Sequence, residues 1–269
     1  MRGVSRASHA ELREQLTDSV PDRDGADLTG NELFAVVRLL DSEHGLRRAL
    51  ADPAKPGEEK AAVARRLLHG RVTPATEDLV AAAVAAHWAS PGDMADATEQ
   101  LAIEAFVMAA QFEGKLDDLE DDLFRFARVV AGQPSLRAAL TGPVDDDPKR
   151  DLLNTLLGGK VSEPAMSLIT QVVTHPRGRS PQAALDLCAT IAARRREQLI
   201  AVVRVAAELS AGQRRRLSAA LKDAYGQGVH LNVVLDPAVM GGMSVRIGDE
   251  LIDGTAASRL AEVRRRLTG

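Results

Sequence analysis

At 269 residues, with 45% hydrophobic but only 3% aromatic residues, the chain can hold one large or two modest domains of closely packed helices. A net charge of −4 argues against nucleic acid or an anionic membrane surface as partner of the whole chain. No stretch approaches the roughly 18 uninterrupted apolar residues of a membrane span, the segment before His9 lacks a signal-peptide core, and the single Cys188 excludes an internal disulfide, so the expectation is a cytoplasmic chain without membrane insertion.

In chain order, Leu33, Val36, Val37 and Leu40 recur at helical spacing and predict a buried stripe. Ninety positions on, Leu33, Phe34, Arg38, Leu46, Arg47, Ala49, Leu50 and Pro53 recur as Leu123, Phe124, Arg128, Leu136, Arg137, Ala139, Leu140 and Pro143. After a one-residue slip, LLHGRV from Leu67 recurs as LLGGKV from Leu156. The period is too long for a helical-repeat array and predicts two copies of one small bundle. Each copy reads helix, short helix, Pro-containing loop, helix ending at Gly, helix. Leu123, Phe126, Ala127 and Val130 form the second stripe, and Gly70 and Gly159 stand where a left-handed cap is needed. Ser180 with Pro181 opens a further helix whose inward stripe, Ala184, Leu187, Cys188 and Ile191, makes Cys188 a small core residue rather than a nucleophile.

Near Leu199 the period switches from helical to alternating. Ser210 and Gln213 form a capping box for a helix ending at Gly226. Val229, Leu231, Val233 and Leu235 alternate with polar neighbours, as do Met243, Val245 and Ile247, and the turn at Gly248 and Asp249 predicts a tight hairpin. A last helix is predicted from about Thr255, with Leu260, Val263 and Leu267 inward and Arg264, Arg265 and Arg266 outward. The expected fold is mostly α: a helical bundle whose N-terminal half is a duplicated lobe, then a small α+β domain. Residues 201–269 carry ten Lys or Arg against seven Asp or Glu, net +3, whereas residues 1–200 are net −7, so the two ends suit different partners.

Catalytic constellations are missing. The sequence has no P-loop, dinucleotide fingerprint, H-E-x-x-H or G-x-S-x-G, its six histidines lack ligand spacing, and no cofactor or metal is expected. Asp117, Asp118, Glu120, Asp121 and Asp122 read as the wet side of an amphipathic helix, and Asp236, Asp249 and Asp253 as turn residues. The arginine runs at 194–196, 214–216 and 264–266 have only Tyr225 as a nearby aromatic platform, which suits a solvated face or an acidic protein helix better than nucleic acid.

The segment from Val233 to Leu260, VVLDPAVMGGMSVRIGDELIDGTAASRL, closely resembles the signature of the δ subunit of F-type ATP synthase, the family of the mitochondrial oligomycin-sensitivity-conferring protein. It combines Asp236 and Pro237, Gly241 and Gly242, Gly248 and Asp249, and Asp253, Gly254 and Thr255, where the family usually has Ser in the last position. These residues suit turns and helix capping, a scaffold role. GKLDDLEDDL from Gly114, NTLLGGKVS from Asn154 and LSAGQRRRLSAAL from Leu209 are similar to the family in the expected order, and the resemblance spans about Leu101 to Leu267. Ala102 departs from the family's common Tyr. Residues 1–100 resemble the extended form of actinobacterial relatives.

The resemblance implies a non-catalytic peripheral-stalk subunit at the cytoplasmic face of the membrane, needed to couple proton flow to ATP synthesis. It divides the chain into an extra helical lobe (1–100), a six-helix bundle binding the N-terminus of the α subunit (101–198), and an α+β domain binding the C-terminal coiled coil of the b subunit (199–269). The family's groove lies between the first and fifth bundle helices, where Ala105, Met108, Ala109, Met166, Ile169 and Val173 are expected to line an apolar trough. Arg264, Arg265 and Arg266 are the expected b-subunit contacts. The competing readings are an unrelated cytoplasmic helical adaptor and a small hydrolase using Asp249 and Asp253.

Overall fold

The computed structural model describes residues 3–196, 199–225, 229–236, 239, 241–247 and 250–253. By its internal contacts the chain forms two compact units, residues 1–193 and 194–269.

The helical unit repeats one order of elements. The first copy has α1 (Val4–Ser19), α2 (Arg23–Ser42), α3 (His44–Leu50), α4 (Gly57–Leu68) and α5 (Pro74–Ala85). The second has α6 (Pro91–Phe112), α7 (Leu116–Gly132), α8 (Pro134–Thr141), α9 (Asp146–Leu157) and α10 (Glu163–Thr174), followed by α11 (Pro181–Arg196). Both predicted stripes are buried, and Gly70 (φ 71°) and Gly159 (φ 68°) take the left-handed conformation after α4 and α9 that side chains with a Cβ disfavour.

The duplication extends to a polar device. In the first copy the Thr73 N–H donates to Glu32 Oε1 at 2.9 Å and its hydroxyl to Glu32 Oε2 at 2.7 Å; in the second the Ser162 N–H donates to Asp122 Oδ2 at 2.9 Å. A carboxylate on the second helix of each copy thus satisfies an amide at the start of the fifth, where the helix dipole favours negative charge. Asp122 is therefore buried rather than part of the wet face expected for it.

The boundary expected between residues 100 and 101 falls inside α6, an uninterrupted helix, and one apolar core runs from Leu12 to Ala192 across it. The physical reason is that α6, the first helix of the second copy, packs along α2 of the first. Ser90 caps α6 by accepting from the Asp93 N–H at 3.2 Å, with Pro91 at the first helical position.

Among the described residues the second unit is a four-stranded mixed sheet with one helix: β1 (Leu199–Val205), α12 (Ala211–Tyr225), β2 (Val229–Leu235), β3 (Met243–Ile247) and β4 (Glu250–Asp253), in sheet order β2-β1-β3-β4. β1 and β2 are parallel, as their helical crossover requires, and the other pairs are antiparallel. The capping box closes both ways: Ser210 N–H to Gln213 Oε1 at 2.8 Å, and Gln213 N–H to Ser210 Oγ at 3.3 Å. Leu217 and Leu221 of α12 pack on a small core built from Ala201, Val203, Val205, Val245 and Ile247. The last helix expected from Thr255 lies outside the described residues.

Candidate functional site

The contact between α2 and α6 decides what the helical unit can offer a partner. Gly30 of α2 lies against the ring of Phe106; a Cβ there would stand 2.7 Å from ring atom Cε2. Phe34 meets the same ring at a centroid distance of 6.0 Å. Small side chains bring the two helices close, and every residue from Leu101 to Ala110 is buried. At the end of this contact Arg23, the first residue of α2, pairs with Glu113 at 2.6 Å just past α6 and with Glu163 at the start of α10. Arg13 of α1 pairs with Glu104, which is buried within α6.

Of the six residues expected to line an open trough, Ala105, Met108, Ala109, Ile169 and Val173 are interior. Every residue of α6 from Leu101 to Ala110 is buried, so the α6 side of that trough is not open in this chain, and α2 packs along α6 at Phe106. Met166 alone is partly exposed; it lines a cleft of about 260 Å³ with Asn31 of α2 and with Arg150 and Asn154 of α9. Ala102, the departure from the family's Tyr, is also fully buried.

A second cleft, of about 490 Å³, lies between α2 and the end of α10, lined by Phe34, Val37, Arg38, Gln171, His175 and Arg177 among others. Arg38 donates to Gln171 Oε1 at 3.1 Å and bridges the two helices. The cleft's far wall is an ion network. Arg177, a non-glycine residue at φ 49°, donates from Nε to Asp41 at 2.6 Å and from Nη1 to Glu99 at 2.6 Å, with Asp96 at 3.1 Å. Arg179 donates to the other Glu99 oxygen at 2.7 Å. Burial alone would loosen the Arg177 proton, but Asp41, Glu99 and Asp96 outweigh it and hold the guanidinium above its ordinary range. The network ties α2, α6 and the loop after α10 together. No sequence motif announces it; Arg38 stood out only as one member of the repeat, and Glu99, Arg177 and Arg179 carried no signal.

Among the described residues no group of His, Cys, Asp and Glu could hold a metal ion, and no helix is long and apolar enough to cross a membrane. Burial pushes the Cys188 thiol up to about 12, so it stays protonated and unreactive at neutral pH.

In the second unit, the Asp236 N–H donates to the Val205 carbonyl at 2.9 Å and ties the end of β2 to β1. Gly241 (φ 87°) and Gly242 (φ 79°) lead into β3, and Asp253 pairs with Ser244 in the sheet register. These are scaffold positions. Pro237, Gly248, Asp249, Gly254 and Thr255 lie outside the described residues, as do Arg264, Arg265 and Arg266. On the face away from α12, Arg204 and Arg246 are exposed together with Val234 and Leu251.

The family model described as "ATP synthase delta (OSCP) subunit" matches residues 103–267. Curated proteins called "ATP synthase subunit delta" match along their full length. The one from Thermobifida fusca is 48% identical over 270 residues, covering all of both chains. That from Streptomyces griseus is 47% identical over 272 residues, again covering both chains. That from Nocardia farcinica is 40% identical over 269 residues, covering 99% of this chain and all of the relative. The matches include residues 1–100, so the first lobe is shared by these relatives.

Proposed function

The chain belongs to the ATP synthase delta (OSCP) subunit family and is a non-catalytic stator component of the F-type ATP synthase, and from that premise we propose how it links the complex. The helical unit holds the N-terminus of the α subunit on the catalytic head, and the α+β unit holds the C-terminal coiled coil of the b subunit. The complex places the chain peripherally at the cytoplasmic face of the membrane.

The observation that carries this division is the presence of two separate hydrophobic cores, one within residues 12–192 and one within the sheet and α12. Two independently packed units can hold two partners without sharing a surface. Charge supports the assignment of ends. Residues 201–269 are net +3, which steers an acidic stalk helix toward the second unit and away from the acidic first one. Neither grip has to be strong. Two micromolar contacts, each about 8 kcal/mol, joined at an effective concentration of about 1 mM give roughly nanomolar attachment.

Family membership and full-length identity to the named relatives leave no room for an unrelated adaptor or a small hydrolase. The test is truncation: a chain ending after residue 198 is expected to keep binding a peptide of the α N-terminus and to lose binding to b. Charge reversal at Arg264, Arg265 and Arg266 in the full chain is expected to weaken b binding, and added salt to weaken it in the wild type. A fragment of residues 1–198 that captured b as tightly as the whole chain would refute the division.

A further inference from the structure

His175, the residue that follows α10, stands at the corner where α2, α9 and α10 meet. It lines the larger cleft with Arg38 of α2, which donates to Gln171 Oε1 at 3.1 Å, one helical turn before His175. Asp146, the first residue of α9, brings Oδ2 to 3.7 Å from His175 Nε2, too far for a hydrogen bond. The imidazole is 32% exposed, so protons reach it from solvent.

Hydrogen-bond accounting fixes which ring nitrogen carries the proton. The Thr174 hydroxyl donates to the Thr170 carbonyl at 2.8 Å, so toward His175 Nδ1, 2.9 Å away, it can only accept. Nδ1 is therefore the N–H of the neutral ring. Nε2 is the nitrogen that takes up a further proton, and it faces Asp146.

The charges around this corner are unbalanced. Arg38 from α2 and Lys149 and Arg150 from α9 act on His175 as cations, and among the described residues Asp146 is the only carboxylate that acts on Arg38 or on His175. Asp41, Glu99 and Arg177 also line the cleft, but they are held in ion pairs with one another and with Arg47 and Arg179. Asp146 thus has two claimants, the permanent charge of Arg38 and the conditional charge of His175. Burial, and after it Arg38, hold His175 below its ordinary range, against the pull of Asp146 and of the α10 C-terminus. At neutral pH the ring is uncharged and Asp146 serves Arg38.

We propose that His175 and Asp146 form an acid-responsive switch in the joint between the two helical copies: when Nε2 takes up a proton, Asp146 closes onto it and leaves Arg38. The half-buried Arg38 then lacks its counter-charge and gains a second cation beside it, so its hold on Gln171 weakens and the end of α2 loosens from α10. A histidine whose folded value lies below its unfolded one binds more protons in the unfolded chain. The stability of this corner is therefore complete above the ordinary histidine range and is lost as pH falls through it toward the folded value.

The test follows the histidine ring signals of the full-length chain by NMR as pH falls from about 8 to about 5. The His175 signal, identified by its absence from His175→Gln, is expected to titrate below the ordinary range. Arg38→Gln is expected to move its midpoint up, and Asp146→Asn to move it down. Over the same pH interval the urea midpoint of the wild type is expected to fall further than that of His175→Gln. Amide exchange from Arg38 to Ser42, corrected for its intrinsic pH dependence, is expected to quicken in acid in the wild type and not in His175→Gln. His175→Lys, which carries the charge permanently, is expected to show the quickened exchange already at neutral pH. A His175 midpoint indifferent to both Arg38→Gln and Asp146→Asn would overturn the switch, as would exchange and urea midpoints that respond to acid equally with and without the ring.

Discussion

A chain starting at Pro91, lacking α1 to α5, is expected to self-associate or unfold, although it keeps the whole segment that matches the family model. Removing α2 uncovers the face of α6 that carries Phe106, and removing α1 takes Arg13 away from the buried Glu104. An apolar helix face of this length does not stay bare in water. A point variant tests the same contact in the intact chain. In Gly30→Leu the new Cβ alone would come within 2.7 Å of the Phe106 ring, which is fully buried and has nowhere to retreat. The expected cost is about 3 kcal/mol, or a fall in Tm of about 6 to 12 °C by calorimetry for a unit of this size. Gly45→Ala, where a Cβ meets nothing within 4 Å, is the control and is expected to leave Tm unchanged or slightly raised. A Gly30→Leu chain as stable as the wild type would mean that α2 does not close on α6 in solution.

Glu99→Ala is expected to be the most damaging change to any polar side chain of the helical unit. The carboxylate is buried and takes two arginines, and its loss leaves Arg177 and Arg179, among the described residues, with Asp41 and Asp96. Removing one partner from a buried ion network costs about 3 kcal/mol, because the remaining charges stay desolvated. The urea midpoint should fall accordingly, and the loss should persist at high salt, since a buried network is little screened. The exposed pair of Arg65 and Asp78, 3.1 Å apart, is the contrast: Asp78→Ala is expected to shift stability by less than about 0.5 kcal/mol. Equal effects at the two sites would show that the network does not tie α2, α6 and the α10 loop together.

Local features were legible in the sequence because local chemistry determines them. Gly70 and Gly159 announced left-handed caps, Ser210 and Gln213 a capping box, and the alternation from Val229 and from Met243 two strands of one sheet. The duplicated order of helices was legible from matched residues ninety positions apart. What stayed hidden was which helix covers which. Periodicity shows that Ala105, Met108 and Ala109 face inward, but an inward face looks the same whether a guest helix or the chain's own helices cover it. The same limit explains the misplaced break at residue 100: a repeat in sequence marks a copied element, not the edge of a core. With the contact known, Gly30 on α2 reads as the small residue that lets the Phe106 ring of α6 come close. Asp122 was hidden for a related reason. An acidic run on an amphipathic helix reads as solvated, and only the fold brings the Ser162 amide to one of its members.

As a stator component, this chain resists rotation and is not itself a catalyst. The most direct measurement is ATP-driven proton pumping by membranes that carry the rest of the ATP synthase but lack this subunit, followed alongside ATP hydrolysis. The head alone is expected to hydrolyse ATP without pumping. Adding the purified full-length chain is expected to restore pumping while leaving the hydrolysis rate of the isolated head unchanged. Full pumping before the chain is added, or ATP turnover by the chain on its own, would contradict the account.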